Sequence, residues 1–164
     1  MRSSSVKAIA LGGMLCAVAV VIMCLGGLIP FATFICPMLA TVVCYIVLRS
    51  CGKKITWCWY IAVAILSILL APDKEAAAVF VFLGYYPIVK KKLEKHRFSW
   101  IYKIILFNCA IVVMYFLLFS VFGMAQLSEE YAQLGSIGGC IMLLLGNATF
   151  FLLDRLLSFL NRKR

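Results

Sequence analysis

The sequence predicts an all-α integral membrane protein, a bundle of six transmembrane helices with both termini in the cytoplasm. Three observations carry that expectation. Of 164 residues, 65% are hydrophobic and 13% are charged, with a mean hydropathy of +1.08. Soluble domains average about 45–50% apolar and about 25% charged residues, and a soluble globule of this size could not cover so much apolar surface. The charged residues fall in clusters separated by uncharged runs, and lysine and arginine concentrate in alternate inter-span segments. The same composition excludes a disordered chain, a collagen and a coiled coil.

The elements follow in order. Nothing is charged between Lys7 and Arg49, a run of 41 residues over 8–48. A helix rises about 1.5 Å per residue, so about 20 residues cross a hydrocarbon core about 30 Å thick. The run is therefore two spans, 8–27 and 31–48, turning at Gly26, Gly27 and Pro30. After the Arg49, Lys53, Lys54 cluster, a third span covers 55–72 and stops at Asp73, Lys74 and Glu75. A fourth covers 75–90 and meets the basic tract from Lys90 through Lys91, Lys92 and Lys95 to Arg97. The fifth, 103–126, leads to Glu129 and Glu130, and the sixth, 132–154, is closed by Asp154 and Arg155. All six form one domain over 1–164. A signal peptide has an apolar core of only about 7–15 residues, and the first run far exceeds that, so the first helix is expected to be uncleaved.

With the N-terminus inside, the inner segments hold 15 of the 16 positive residues and the outer loops only Lys74, as the positive-inside tendency requires. Trp57, Trp59 and Trp100 fall near inner ends, where an aromatic belt sits. The net charge of +10 is then a basic rim beside anionic lipid, and no nucleic acid is needed to explain it.

Little in the chain looks like reaction chemistry. The eight cysteines contain no C-x-x-C pair, and His96 is the one histidine. Neither a zinc ligand set nor an H-E-x-x-H helix is present, so no metal, cofactor or catalytic residue is assigned and an enzyme is not expected. Cysteines within spans read as small hydrophobes. Polar groups in the spans are more telling, because an unsatisfied one is costly in lipid. Asn108 and Asn147 are placed at similar depth, which suits a hydrogen bond between adjacent helices. Asp154 is expected to pair with a basic neighbour.

Asp73, Lys74 and Glu75 stand out through a length argument. Lys54 and Lys90 bracket 35 residues that must cross twice. Each leg has about 16–17 residues, roughly 25 Å, which is short of the core. The triad is thus drawn toward or below the outer interface, where charges face protein or water. Two readings stay open: a ligand-binding group, or a short hairpin with Asp73 capping the fourth helix. Phe31, Thr33, Phe34, Phe122, Gln126, Glu129 and Tyr131 lie on the same side, as a small-molecule pocket or an interfacial belt requires. In the first helix Ala8, Gly12 and Cys16 recur four apart, as do Gly13 and Ala17. Such stripes let helices approach closely, either within the chain or against a partner.

Six spans, internal termini, a basic opening residue and this small-residue stripe together resemble the substrate-binding (S) components of energy-coupling factor transporters. The segments Leu70-Ala71-Pro72-Asp73-Lys74-Glu75-Ala76-Ala77 and Gly84-Tyr85-Tyr86-Pro87 also resemble a group of uncharacterised small membrane proteins of Gram-positive bacteria. The transporter resemblance implies a ligand site at the outer side, which puts Asp73, Lys74, Glu75 and Gln126 in candidate positions. It also implies a first helix that docks a transmembrane coupling subunit, through Ala8, Gly12 and Cys16 or Gly13 and Ala17, working with cytoplasmic ATPases. The function expected is uptake of a small polar, vitamin-like molecule. The alternatives are a non-transporting membrane scaffold and a lipid-handling protein with phospholipid near Phe31 and Phe122.

Overall fold

The computed structural model describes residues 2–26, 32–94, 99–122, 144 and 146–161. The described residues are almost entirely helical and contain no strand. In chain order the helices are α1 (Arg2–Leu25), α2 (Ala32–Cys51), α3 (Lys53–Leu70), α4 (Lys74–Leu83), α5 (Tyr86–Leu93) and α6 (Ser99–Phe122), followed by α7 over 146–161. They fall into two compact units, Met1–Arg97 and Phe98–Arg164.

Among the described residues, three helical segments are long and apolar enough to cross a membrane: Val6–Leu25, Thr33–Cys51 and Lys53–Leu70. Their outward faces suit lipid rather than water. On α1 Val6, Ile9, Met14 and Val21 are exposed, and on α3 Ile61, Ile65 and Leu69. Apolar surface on that scale marks a membrane or protein contact. Ile105, Val112 and Phe116 of α6 are exposed in the same way, and Ile101–Met114 is a shorter apolar helical stretch.

In the first unit α2 is the hub, packing against α1, α3, α4 and α5. One residue joins α2 to α3. Gly52 has φ +82 and ψ 168, a left-handed conformation that side chains disfavour, and its carbonyl accepts both the Thr56 amide (3.1 Å) and the Thr56 hydroxyl (2.8 Å). The expected six-residue basic connection over 49–54 is thus mostly helix. The buried face of α3 is Thr56, Trp59, Val63, Ala64 and Ser67, one stripe at helical spacing. Trp59 joins the core with Ala40, Cys44 and Val47 instead of the interfacial belt, whereas Trp57 is exposed.

The stretch read as a single fourth span, 75–90, is two short helices. Pro87 has no N–H to bond the residue-83 carbonyl, and its fixed φ suits the first turn of a helix, so α4 stops and α5 restarts at Tyr86 after Gly84 and Tyr85. Gly84 is required by packing: a Cβ there would lie 2.7 Å from the Phe80 carbonyl oxygen and 2.9 Å from its ring. At the end of α4 the Tyr60 hydroxyl of α3 donates to the Val81 carbonyl. Tyr60 also sits edge-on to Tyr85 and Trp57, an aromatic brace across the break.

In the second unit α6 and α7 are antiparallel. Lys103 faces Asp154, Phe107 stacks on Phe150 with centroids 4.5 Å apart, and Asn108 pairs with Asn147. Gly146 admits Ile111, since a Cβ there would come within 2.8 Å of its Cδ1.

Candidate functional site

The residues singled out at the α3–α4 turn do come together. Ala71 precedes a proline, is extended (φ −69, ψ 130), and so ends α3. Pro72 then lacks the N–H that would bond the Ile68 carbonyl. Lys74 supplies it: its Nζ donates to Ile68 O at 2.8 Å and to Ala71 O at 2.9 Å. An ammonium is also well placed at a helix C-terminus, where the dipole is negative.

Asp73 is the N-cap of α4. Its Oδ1 accepts from the Ala76 amide at 3.0 Å, and its Oδ2 accepts from Thr33 Oγ1 at 2.8 Å. One carboxylate thus closes the start of α4 and ties it to the first turn of α2. Glu75 lies in the first turn of α4, half-buried, where a negative charge complements the dipole. Of the two readings of the triad, capping is realised by Asp73, with Lys74 capping α3. Gln126, Phe31, Glu129 and Tyr131 lie outside the described residues, as does the side chain of Phe122; Phe34 is half-buried.

Beneath this cluster is a feature that the sequence reading missed. Ser67, one turn before Ala71, is 1% exposed and its Oγ has no hydrogen-bond partner among the described residues; Tyr45 Oη and Trp59 Nε1 share that state. Serines in membrane helices usually bond back to their own helix, so nothing in the sequence distinguishes one that does not.

The two small-residue stripes of α1 divide. Ala8, Gly12 and Cys16 face the chain itself. The Ala8 carbonyl accepts from Cys51 Sγ at 3.2 Å, a Cβ on Gly12 would touch Ile55 of α3 at 3.8 Å, and Cys16 packs on the core. Gly13 and Ala17 are exposed, and a Cβ on Gly13 would meet nothing within 4 Å.

Lys90, placed by sequence in the basic rim, is 6% exposed. Its Nζ is 3.6 Å from the Glu94 carboxylate and 5.9 Å from the Tyr86 ring centroid. The spacing of Tyr86, Lys90 and Glu94, four apart in turn, was the signal available. Cys36 and Cys44 are buried, as small hydrophobes. Among the described residues no three His, Cys, Asp or Glu side chains cluster as a metal site would require.

In the second unit the expected pairings form. Asn147 Nδ2 donates to Asn108 Oδ1 at 3.2 Å, Asn108 Nδ2 returns the bond at 3.4 Å, and Asn108 also bonds Ile104 O at 2.9 Å. Asp154 finds its basic partner in Lys103, both carboxylate oxygens lying 3.2 Å from Nζ.

No family model matches the chain, and no curated protein or solved structure matches it either.

Proposed function

We propose that the chain crosses the membrane six times with both termini cytoplasmic and serves as a binding subunit. It captures a small polar, vitamin-like molecule at the outer end of its first helical unit and releases it inward. A partner transmembrane subunit and cytoplasmic ATPases would drive the release. The observation that carries this reading is Ser67 Oγ: a buried hydroxyl with no partner among the described residues, one turn below the Thr33–Asp73–Lys74 cluster. Such a group costs about 1–3 kcal/mol in an apolar surround, and a polar ligand entering between α3 and α4 would satisfy it. Gln126 is expected to contribute from the later spans. The exposed Gly13 and Ala17 leave α1 a flat face for a partner helix, where close packing drives association in lipid.

A second reading, a non-transporting scaffold, is favoured by one observation: Asp73 and Lys74 are already taken up by helix ends. The two separate in one experiment. The protein is purified from its native membrane and its extracted small molecules are identified by mass spectrometry, for the unmodified chain and for Ser67→Ala. The binding reading expects one metabolite near stoichiometry that Ser67→Ala loses. Its absence from both leaves the scaffold. The topology is checked by cysteine labelling in a cysteine-free background: Glu129→Cys should react from the cell exterior and Lys92→Cys should not.

A further inference from the structure

Helix packing in the first unit gathers basic residues that are far apart in sequence. The Cys51 thiol, at the end of α2, donates to the Ala8 carbonyl of α1 at 3.2 Å, and a Cβ on Gly12 would touch Ile55 of α3 at 3.8 Å. The early turns of α1, the last turn of α2 and the first turn of α3 therefore meet. Lys7 comes from α1, Arg49 from α2, and Lys53 and Lys54 from α3; all four are exposed. Arg49 holds its guanidinium 5.3 Å over the Tyr45 ring. Lys7, Lys53 and Lys54 have no carboxylate partner among the described residues. Glu94 is engaged with Lys90. Asp73 and Glu75 lie past the other end of α3, about 27 Å away along the helix. Next to the cations the same helices turn apolar where they are exposed: Ile9 and Met14 on α1, and Trp57, Ile61 and Ile65 on α3.

We infer that this corner binds an anionic phospholipid, its phosphate among Lys7, Lys53 and Lys54 and its acyl chains along the exposed faces of α1 and α3. Two features select that occupant. Three ammonium groups with no carboxylate partner among the described residues favour a headgroup of net negative charge. A zwitterionic headgroup would set its own cation against them. Along α3 the exposed order is lysine at 53 and 54, tryptophan at 57, then isoleucine at 61 and 65. That is the sequence of environments from headgroup to hydrocarbon. A soluble anion or an acidic peptide leaves the apolar part uncovered, whereas an acyl chain covers it. A general basic rim spreads contact with lipid over every cation in the chain, but here the packing of α1 on α2 and α3 makes one site. Each lysine beside anionic lipid is worth about a fivefold change in affinity. The corner lies at the opposite end of α3 from the Asp73 cluster, so it does not depend on a solute binding there.

The test uses the full chain purified in a mild detergent and incubated with an equimolar mixture of dioleoyl phosphatidylglycerol, phosphatidylethanolamine and phosphatidylcholine. Bound lipid is read by native mass spectrometry. Phosphatidylglycerol should be retained at least about fivefold over either zwitterionic lipid, and less so as salt rises. Lys7→Gln, Lys53→Gln and Lys54→Gln combined should abolish the preference. Arg162→Gln, Lys163→Gln and Arg164→Gln combined, which remove the same number of positive charges from the C-terminal end, should leave it intact. Should the first triple variant lose helicity by circular dichroism, Lys7→Gln alone decides, with a several-fold drop expected. Inorganic phosphate in excess, at matched ionic strength, should not displace the lipid. Equal retention of the three lipids, an equal loss of preference in both triple variants, or displacement by inorganic phosphate each overturns the assignment.

Discussion

Asp154 holds the Lys103 ammonium with both carboxylate oxygens at 3.2 Å, across two antiparallel helices and 51 residues of sequence. The lysine is almost wholly buried, so the pair is sensitive to losing one member. Breaking a buried pair costs about 3–5 kcal/mol, while replacing both charges by apolar residues of similar volume is often neutral. Asp154→Leu is therefore expected to lower the thermal midpoint in detergent markedly. Lys103→Met combined with Asp154→Leu should restore most of it. Equal losses in the single and double variants would show that the charge pairing is not what matters.

Further along the same helix pair, the Asn108–Asn147 amides exchange two hydrogen bonds. Interhelical bonds of this kind in membranes are worth about 0.6–2 kcal/mol. A double-mutant cycle with Asn108→Leu and Asn147→Leu should return a coupling in that range. Most of the loss should already appear in either single change, because the amide left behind has no partner in lipid.

These two contacts were legible from sequence because polar residues within apolar runs must find each other, and equal depth tells which can meet. The chain's helical character and apolar spans were legible for the same reason, as charge spacing against bilayer thickness. What sequence did not disclose depends on backbone events. A proline at position 87 breaks the helix read over 75–90, and Pro72 creates the vacancy that Lys74 fills. The face of α1 that packs inward depends on rotation about the helix axis. Stripes at Ala8–Gly12–Cys16 and Gly13–Ala17 differ by only one residue in register, about 100°, and composition alone does not choose between them.

At the α3–α4 turn, capping and charge can be tested separately. Asparagine caps helices about as well as aspartate, whereas alanine costs about 0.5–2 kcal/mol. Asp73→Ala is expected to lose protection of the Ala76 amide in hydrogen exchange and to free Thr33, which now donates to Asp73. Asp73→Asn should keep the cap to the Ala76 amide through its carbonyl oxygen, while its Nδ2 takes the place of Oδ2 and donates to the Thr33 hydroxyl, which reverses that bond. A solute bound through the carboxylate charge would nonetheless be lost in Asp73→Asn, so folding and binding part company in this variant.

Ser67 gives an opposite sign. Its hydroxyl is buried with no partner among the described residues, so removing it relieves an unsatisfied group. In the solute-free protein Ser67→Ala should leave the thermal midpoint unchanged or raise it, by up to about 1–3 kcal/mol of stability. Loss of stability would mean that the hydroxyl is already satisfied. Tyr45→Phe, which removes another unpartnered hydroxyl, is the matched comparison at a different place in the same unit.

Gly84 tests the break between α4 and α5. It is not in a left-handed conformation, having φ −61 and ψ −25, so alanine brings no backbone penalty there and even a propensity gain. The obstacle is space alone: the new methyl would sit 2.9 Å from the Phe80 ring and 2.7 Å from its carbonyl oxygen. Phe80 is fully buried and cannot swing aside without opening the core. Overpacking of this kind costs about 1–3 kcal/mol. Gly84→Ala should therefore destabilise the protein, and adding Phe80→Leu should recover the part due to the ring while leaving the part due to the carbonyl. Thermal unfolding of the two variants against Phe80→Leu alone separates these contributions. If Gly84→Ala is neutral by itself, the short approach between α4 and the turn is not what halts the helix, and Pro87 alone ends it.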